Sequence, residues 1–177
     1  MAFDGIFLSK IKEEIAACTD SRVDRIHQPA REELIFTLRA RGGARRLLLS
    51  ANASSPRVHF TEHAPENPQN PPMFCMLLRK KLSGARLAAV RQHHLDRILF
   101  LDFEATNELG DPVVLTLSAE IMGRHSNLIL SEGGRIVDAI KRVDVTTSSV
   151  RQVLPGLAYT LPPQSGKLNL AAASPRE

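Results

Sequence analysis

The feature that most constrains the fold of this chain is a series of short segments in which apolar and polar residues alternate. Alternation with a period of two is typical of β-strands that bury one face. The segments lie at residues 22–28, 33–40, 45–51, 57–63, 86–95, 97–105, 112–121 and 127–132, and residues 135–143 could form another. Because short connections join them, we expect about eight strands in antiparallel β-sheets with a sandwich-like arrangement.

The residues between these segments favour tight turns. Gly42-Gly43 and Gly133-Gly134 each separate two apolar segments, and glycine adopts the positive φ that hairpin turns require. A third turn is expected at residues 107–111, where asparagine, glycine and aspartate occur together. The alternation in residues 22–28 is imperfect, which is compatible with a bend in that strand.

Two segments follow the helical period instead. In residues 4–18, Phe7, Ile11 and Ile15 recur every four positions and are expected to form the buried face, with Asp4 as the N-cap. The second predicted helix covers residues 73–84, with Asn70 as a candidate cap and Gly84 as its end. The apolar positions of the second helix are Phe74, Leu77, Leu78 and Leu82. The predicted fold class is therefore α+β with two main helices.

Composition restricts the class of protein only moderately. The 177 residues contain no apolar segment near the ~18 residues of a membrane span, and the first residues do not resemble a signal peptide. We therefore expect a soluble, cytoplasmic protein with no membrane partner, in which Cys18 and Cys75 are reduced and buried. A net charge of +4, with 17 arginines and 6 lysines, is compatible with a nucleic-acid partner but does not require one.

Candidate catalytic and metal-binding patterns are weak. His59 and His63 are four residues apart, a spacing that places both on one face only in a helix, and this segment reads as a strand. His125 and Ser126 are neighbours, but no GxSxG motif accompanies them. Asp102 and Glu104 could be paired carboxylates or ordinary polar residues of a strand. We therefore predict no catalytic residue, metal site or cofactor.

Two places are harder to explain as ordinary surface. Asp96-Arg97 is a charged pair that interrupts an otherwise apolar stretch. Residues 120–127 concentrate glycine, arginine, histidine, serine and asparagine between two predicted strands. Backbone N–H groups and side-chain donors could converge on a ligand there, whereas a plain turn would explain only Gly123.

Several stretches together carry a family signature. The sequence resembles the NFACT-N domain, formerly called the fibronectin-binding protein A N-terminal domain, which opens the RqcH and NEMF proteins of ribosome-associated quality control. The matching stretches, which occur in order, are Phe3-Asp4-Gly5, Arg25-Ile26-His27-Gln28-Pro29, Asn67-Pro68, Pro71-Pro72-Met73-Phe74-Cys75-Met76-Leu77-Leu78-Arg79-Lys80, Asp96-Arg97-Ile98, Glu120-Ile121-Met122-Gly123-Arg124-His125-Ser126-Asn127, Ile140-Lys141-Arg142 and Leu154-Pro155-Gly156.

The resemblance implies a function that the residues alone do not. Members of the family bind the large ribosomal subunit that still holds peptidyl-tRNA, and they recruit tRNA (alanyl-tRNA in bacteria) to add a C-terminal tail to the stalled chain. The implied fold is similar to the N-terminal domain of formamidopyrimidine-type DNA glycosylases. Those enzymes need an N-terminal proline amine as nucleophile, and this chain begins Met1-Ala2-Phe3. The resemblance therefore implies a binding module and not an enzyme.

The resemblance also assigns residues and boundaries. The implied tRNA-binding residues are Asp96, Arg97, Glu120, Ile121, Met122, Gly123, Arg124, His125 and Asn127. Arg79, Lys80 and Lys81 are expected phosphate contacts, although a solvated helix face is an equal explanation. Residues 1–165 are expected to form the domain and 166–177 a tail or the start of a linker. The alternative function is that of an extracellular fibronectin-binding adhesin, which the older family name suggests.

Overall fold

The computed structural model describes residues 5–63, 66–93 and 97–163. Within them the chain forms two α-helices, nine strands and one short 3₁₀-helix. The elements are α1 (Gly5–Ala16), β1 (Arg22–Ala30), β2 (Glu33–Ala40), β3 (Gly43–Ser50), β4 (Arg57–Thr61), α2 (Met73–Leu82), β5 (Arg86–Gln92), β6 (Ile98–Thr106), β7 (Pro112–Glu120), the 3₁₀-helix (Gly123–His125), β8 (Asn127–Glu132) and β9 (Arg135–Ala139). The α+β class is confirmed, and the segment at 135–143 does contribute a ninth strand.

The strands form one antiparallel sheet and not several. Their order is β4-β3-β2-β1-β5-β6-β7-β8-β9. The register between β1 and β5 contains one pair, Arg22 with Arg86, and the backbone hydrogen bonds around it stay within residues 20–23 and 84–87, so the contact at this junction is short. Phe36 of β2 stacks on Phe103 of β6 with ring centroids 5.9 Å apart, although two strands lie between β2 and β6 in the sheet. The sheet therefore folds over itself, and its two halves enclose a shared core as the two sheets of a sandwich would.

The predicted turns are present where glycine was expected to permit them. Gly133 and Gly134 have φ values of 61° and 78°, the left-handed region that a two-residue hairpin turn needs. In the turn between β6 and β7, the Asn107 side-chain oxygen accepts hydrogen bonds of 2.9 Å from the backbone N–H groups of Leu109 and Asp111. The expected irregularity in β1 is a register shift between Val23 and Arg25.

The buried face of α1 differs from the predicted one. Leu8, Ile11 and Ile15 are buried, whereas Phe7 is 39% exposed. Leu8 lies ~100° around the helix from Phe7, so α1 is rotated towards its 8/11/15 side where it packs mainly on β5. Periodicity allowed either face, and the position of β5 selects one. The predicted cap Asp4 lies outside the described residues.

The second helix begins and ends close to prediction, but its cap is different. Pro72 occupies the N-cap position and no side chain caps the helix, so the predicted cap at Asn70 is wrong. Gly84, just beyond the helix, has φ 79°, which explains why the helix ends there. Cys75 is buried, and burial raises the pKa of its thiol. Cys18 follows the end of α1 and is only half-buried; both cysteines are free.

The segment after β9 packs on the sheet without forming a regular strand. Val143 and Val153 make an isolated antiparallel bridge, and Val153 joins a small second core with Ile129, Ile136 and Ala139. Neither described helix is long or apolar enough to cross a bilayer. The predicted tail at 166–177 and the boundary at 165 lie outside the described residues.

Candidate nucleic-acid interface

The two unusual sequence features meet at one end of the sheet. β6 begins at Ile98, which pairs with Glu120 at the end of β7. The backbone N–H of Ile121 donates a 2.8 Å hydrogen bond to the carbonyl of Arg97. Arg97 is exposed beside the connection between β7 and β8. Its predicted companion Asp96 lies outside the described residues.

The connection between β7 and β8, residues 121–126, is short and internally bonded, and we call it the β7–β8 loop. Its centre is the 3₁₀-helix, where Gly123 has φ 58°, a conformation that other residues adopt at a cost. The Ser126 hydroxyl oxygen accepts a 2.7 Å hydrogen bond from the Met122 N–H. Ser126 is therefore a structural residue of the loop, while Arg124 and His125 are exposed at its surface.

Asn127 fixes the base of this loop. Its buried amide donates to the Lys141 carbonyl at 2.9 Å, and its side-chain oxygen accepts from the Lys141 N–H at 3.1 Å. Asn127 thus makes two bonds to the backbone of the segment after β9. Lys141 belongs to residues 140–142, which also carry the family resemblance. These residues therefore have a structural role at the same end of the sheet as the loop.

Glu120 is buried and fully engaged within the protein. Its side chain is 0% exposed, and its two oxygens each accept a 2.9 Å hydrogen bond from the Arg151 guanidinium. The Tyr159 hydroxyl donates to the same carboxylate at 2.6 Å. Burial raises the pKa of Tyr159, and the negative charge of Glu120 and the hydrogen bond to it raise that pKa further, so the phenol stays a donor. Glu120 therefore holds the chain around the loop, and its carboxylate has no exposed surface.

Ile121, the next residue, is also buried. Its side chain is 1% exposed and belongs to the main core, while its backbone pairs with Arg97. Among the residues assigned to tRNA by resemblance, Arg97, Arg124 and His125 are exposed, Met122 and Gly123 are half-buried, and Glu120, Ile121 and Asn127 are buried. Sequence reasoning did not identify Arg151 or Tyr159, because nothing in their local patterns links them to Glu120.

The basic residues of α2 lie elsewhere. The Arg79 Nε donates to the Ile26 carbonyl of β1 at 2.8 Å, so this side chain is largely a packing residue. Lys80 pairs with Glu108 in the β6–β7 turn at 2.9 Å, and both side chains are exposed. That turn and the β7–β8 loop are at opposite ends of β7, whose nine residues span roughly 30 Å. Arg79, Lys80 and Lys81 therefore form a surface separate from the loop.

The other chemical candidates have structural partners. Asp102 accepts two hydrogen bonds from Arg91, at 2.6 and 2.9 Å, and one from Thr116 at 2.7 Å. Burial raises the pKa of Asp102, but the hydrogen bonds from Arg91 and Thr116 lower it on balance. Glu104 pairs with Arg86 instead. The described part of the chain contains no group of three or more histidine, cysteine or carboxylate residues able to hold a metal ion.

Comparison with known proteins decides the family. A family model described as NFACT N-terminal and middle domains matches residues 4–177. The chain belongs to this family. The NFACT resemblance inferred from the motifs is thus confirmed, and the matched range includes every stretch that carries it except Phe3.

Named relatives cover nearly all of the chain. It is 44% identical over 177 residues to the Rqc2 homolog RqcH of Bacillus subtilis (strain 168), a match to 98% of this chain and 31% of that protein. It is 40% identical over 172 residues to the Rqc2 homolog RqcH of Streptococcus pneumoniae (strain ATCC BAA-255 / R6), covering 96% and 31%. The chain therefore spans about a third of the length of these curated NFACT relatives.

Solved structures of the same fold are also close. The N-terminal domain of fibronectin-binding protein PavA from Streptococcus pneumoniae superposes with a TM-score of 0.88 at 39% identity, covering 93% of this chain and 66% of that one. The N-terminal part of the fibronectin/fibrinogen-binding protein FBPS from Streptococcus suis gives 0.88 at 36% identity, covering 98% and 70%. The bent sheet with two helices is thus also the fold of these two domains.

Proposed function

We propose that this domain is the tRNA-binding module of an RqcH-like factor of ribosome-associated quality control, which recruits tRNA on the large ribosomal subunit for C-terminal tailing of stalled chains. The observation that carries the proposal is the hydrogen bond between Ile121 and Arg97. It brings together, at one end of the sheet, the two motifs that resemble tRNA-binding residues of the family. The module acts by binding, with no catalytic step or cofactor of its own, and works in the cytoplasm.

The exposed side chains suit RNA recognition. Arg97 and Arg124 each present a planar guanidinium that can bond to a base edge or stack on an unpaired base, and His125 can do both. Asp96 would accept hydrogen bonds from base N–H groups. In this proposal the buried Glu120 and Asn127 contribute indirectly, because they fix the backbone from which the exposed residues project.

The basic residues of α2 supply a different kind of contact. Lys80 and Lys81 would meet phosphates, which position RNA without reading its sequence. Their separation of roughly 30 Å from the loop suits a large ligand such as tRNA or ribosomal RNA. Arg79, committed to the Ile26 carbonyl, would contribute mainly through its charge.

The second candidate is fibronectin binding, which is favoured by the likeness to domains described as parts of fibronectin-binding proteins. The two functions predict different ligands for the same chain. Capture from cell lysate followed by RNA sequencing, in parallel with binding to immobilised fibronectin, separates them. Selective recovery of tRNA supports the first function, whereas saturable fibronectin binding without tRNA enrichment would replace it.

The residue-level test uses Arg97→Ala. We expect tRNA enrichment over other RNA to fall about tenfold, since a good side-chain contact to a base contributes ~1–3 kcal/mol of discrimination. The melting temperature should change by less than ~2 °C, because Arg97 is exposed. Arg41→Ala, at an exposed position in the β2–β3 turn, is the matched control and should keep full enrichment. Asp96→Ala is expected to behave like Arg97→Ala.

Two results would contradict this role of Arg97. Unchanged tRNA enrichment in Arg97→Ala would remove this residue from the site. Loss of enrichment that follows the loss of melting temperature would reduce Arg97 to a structural role.

A further inference from the structure

A second basic surface lies on the other half of the folded sheet. A groove of about 820 Å³ is present along the half formed by β1–β4, and it includes no residue of the β7–β8 loop or of α2. Its arginine and histidine lining consists of Arg25, Arg39, Arg45, Arg46, His27 and His59. None of the residues assigned above to tRNA or to phosphate lines this groove.

Strand register places the polar side chains of the groove in a row. Arg25 of β1 pairs with Thr37 of β2, Thr37 pairs with Arg46 of β3, and Arg46 pairs with Thr61 of β4. Directly paired residues project from the same face, and neighbouring strands are ~4.8 Å apart. The Arg25 and Arg46 backbones are therefore roughly 10 Å apart, with Thr37, only 9% exposed, between them on the floor.

Of the four arginines that line this groove, only Arg39 forms an ion pair among the described residues, although the lining also carries the carboxylates of Glu14, Asp24 and Glu62. Among the described residues Arg25 has no carboxylate partner, and Arg46 donates at 3.1 Å to the backbone carbonyl of Glu62 rather than to its carboxylate. Arg45 lies over the Phe60 ring, 3.7 Å from the centroid, which leaves its charge available. Arg39 differs, since it pairs with Asp24 at 2.9 Å.

One of the two histidines that line the groove, His27, has a lowered pKa, which favours its neutral form. Burial lowers the pKa of His27, and the positive charges of Arg79, Arg25 and Arg46 lower it further. A neutral imidazole can donate and accept hydrogen bonds without adding charge. The groove thus combines cationic guanidinium groups with neutral hydroxyl and imidazole groups. The carboxylates of Glu14 and Glu62 also line the groove, and both residues are exposed.

We propose that this groove binds the sugar–phosphate backbone of RNA, at a site independent of the β7–β8 loop. RNA presents anionic phosphates interspersed with neutral 2′-hydroxyl groups, which matches the alternation of guanidinium and neutral donors in the row. An acidic peptide would also offer carboxylates to the arginines, so it is the rival ligand in the test. Contacts of this type do not read sequence, so the groove adds affinity for RNA in general.

The test measures binding of a fluorescein-labelled 15-nucleotide single-stranded RNA of mixed sequence by anisotropy at several salt concentrations. The variants are Arg25→Gln and Arg46→Gln, which remove charge from the row and keep a hydrogen-bonding side chain. Each should weaken binding about threefold to tenfold and reduce the slope of log affinity against log salt by ~0.7, the value expected per lost phosphate contact on single-stranded nucleic acid. The ratio of tRNA to mixed RNA affinity should stay unchanged.

Arg31→Gln is the matched control, because Arg31 is an exposed arginine between β1 and β2 that does not line the groove. It should bind as the unmodified chain does, and circular dichroism melting should show all three variants folded.

Unchanged affinity and salt slope in Arg25→Gln and Arg46→Gln would overturn the proposal. So would a poly-glutamate 15-mer that binds more tightly than the RNA and is weakened by the same variants, since the groove would then select an acidic protein segment. Unchanged tRNA enrichment in Arg97→Ala would count against the first proposal and leave this groove unaffected, so the two proposals fail separately.

Discussion

The guanidinium of Arg151 meets both oxygens of the Glu120 carboxylate at 2.9 Å, and the carboxylate has no exposed surface. The pair joins the end of β7 to a segment 31 residues further along the chain. Arg151 also donates at 2.6 Å to the carbonyl of Thr160, so the same side chain connects two parts of the C-terminal segment. The backbone that leads into the β7–β8 loop is therefore held by residues outside the sheet.

Removing one member of this pair should destabilise the fold strongly. Glu120→Ala leaves the Arg151 charge largely buried without its partner, so we expect the free energy of unfolding to fall by about 3 kcal/mol. Tyr159→Phe removes one hydrogen bond to the same carboxylate and should cost less, about 1.5 kcal/mol. Urea unfolding measures both. Glu132→Ala, a half-buried carboxylate of β8 that forms no ion pair among the described residues, is the control. A loss below ~1 kcal/mol in Glu120→Ala would show that the buried ion pair with Arg151 contributes little to stability.

Asp102 should make stability depend on acid pH. Its pKa is lowered in the folded chain by Arg91 and Thr116, despite burial, so it binds a proton more weakly there than in the unfolded chain. The stability it contributes is present above the ordinary carboxyl pKa of ~3.9 and is lost as pH falls through the lowered folded value. Urea midpoints measured from pH ~6 to ~2 should therefore decline less steeply in Asp102→Asn. The control Asp111→Asn removes an exposed turn carboxylate, and an equal flattening in it would refute the assignment.

Lys80 should contribute to RNA affinity but not to selectivity. Lys80→Ala removes an exposed charge, so binding of tRNA and of unrelated RNA should weaken by the same factor and the salt dependence should become shallower. Glu108→Gln should strengthen binding of both, because it frees Lys80 from its partner. Lys10→Ala, at an exposed position on α1, is the matched control in filter-binding titrations. A change confined to tRNA would show that Lys80 reads structure and does not simply meet phosphate.

Local patterns predict most of the secondary structure. Gly133-Gly134 and residues 107–111 form the expected turns because positive φ and side-chain acceptors act within a few residues. The predicted face of α1 is wrong at Phe7, since Leu8 fits the helical period nearly as well and only the position of β5 distinguishes them. The Asn70 cap is wrong for a related reason, because the Pro72 backbone begins the helix without a side-chain cap.

The candidate site is predictable only in part. The motifs that contain Arg97 and Gly123 are local in sequence, and the order of neighbouring residues is enough to recognise them. Which members of each motif are exposed does not follow from that order. Glu120 looks like a surface carboxylate in the sequence, and it is buried because Arg151 and Tyr159, 31 and 39 residues away, surround it.

The sequence by itself determined the strands, the turns between them, the two helices and the family, because alternation, glycine positions and contiguous motifs are properties of neighbouring residues. The tertiary structure alone decided that the strands form one sheet folded over itself, and that Arg97 lies beside the β7–β8 loop. It also decided that Arg25 and Arg46 lie in one row of a groove. These arrangements depend on strand register and on the packing of distant segments, whose free energies come from contacts between residues far apart in the chain.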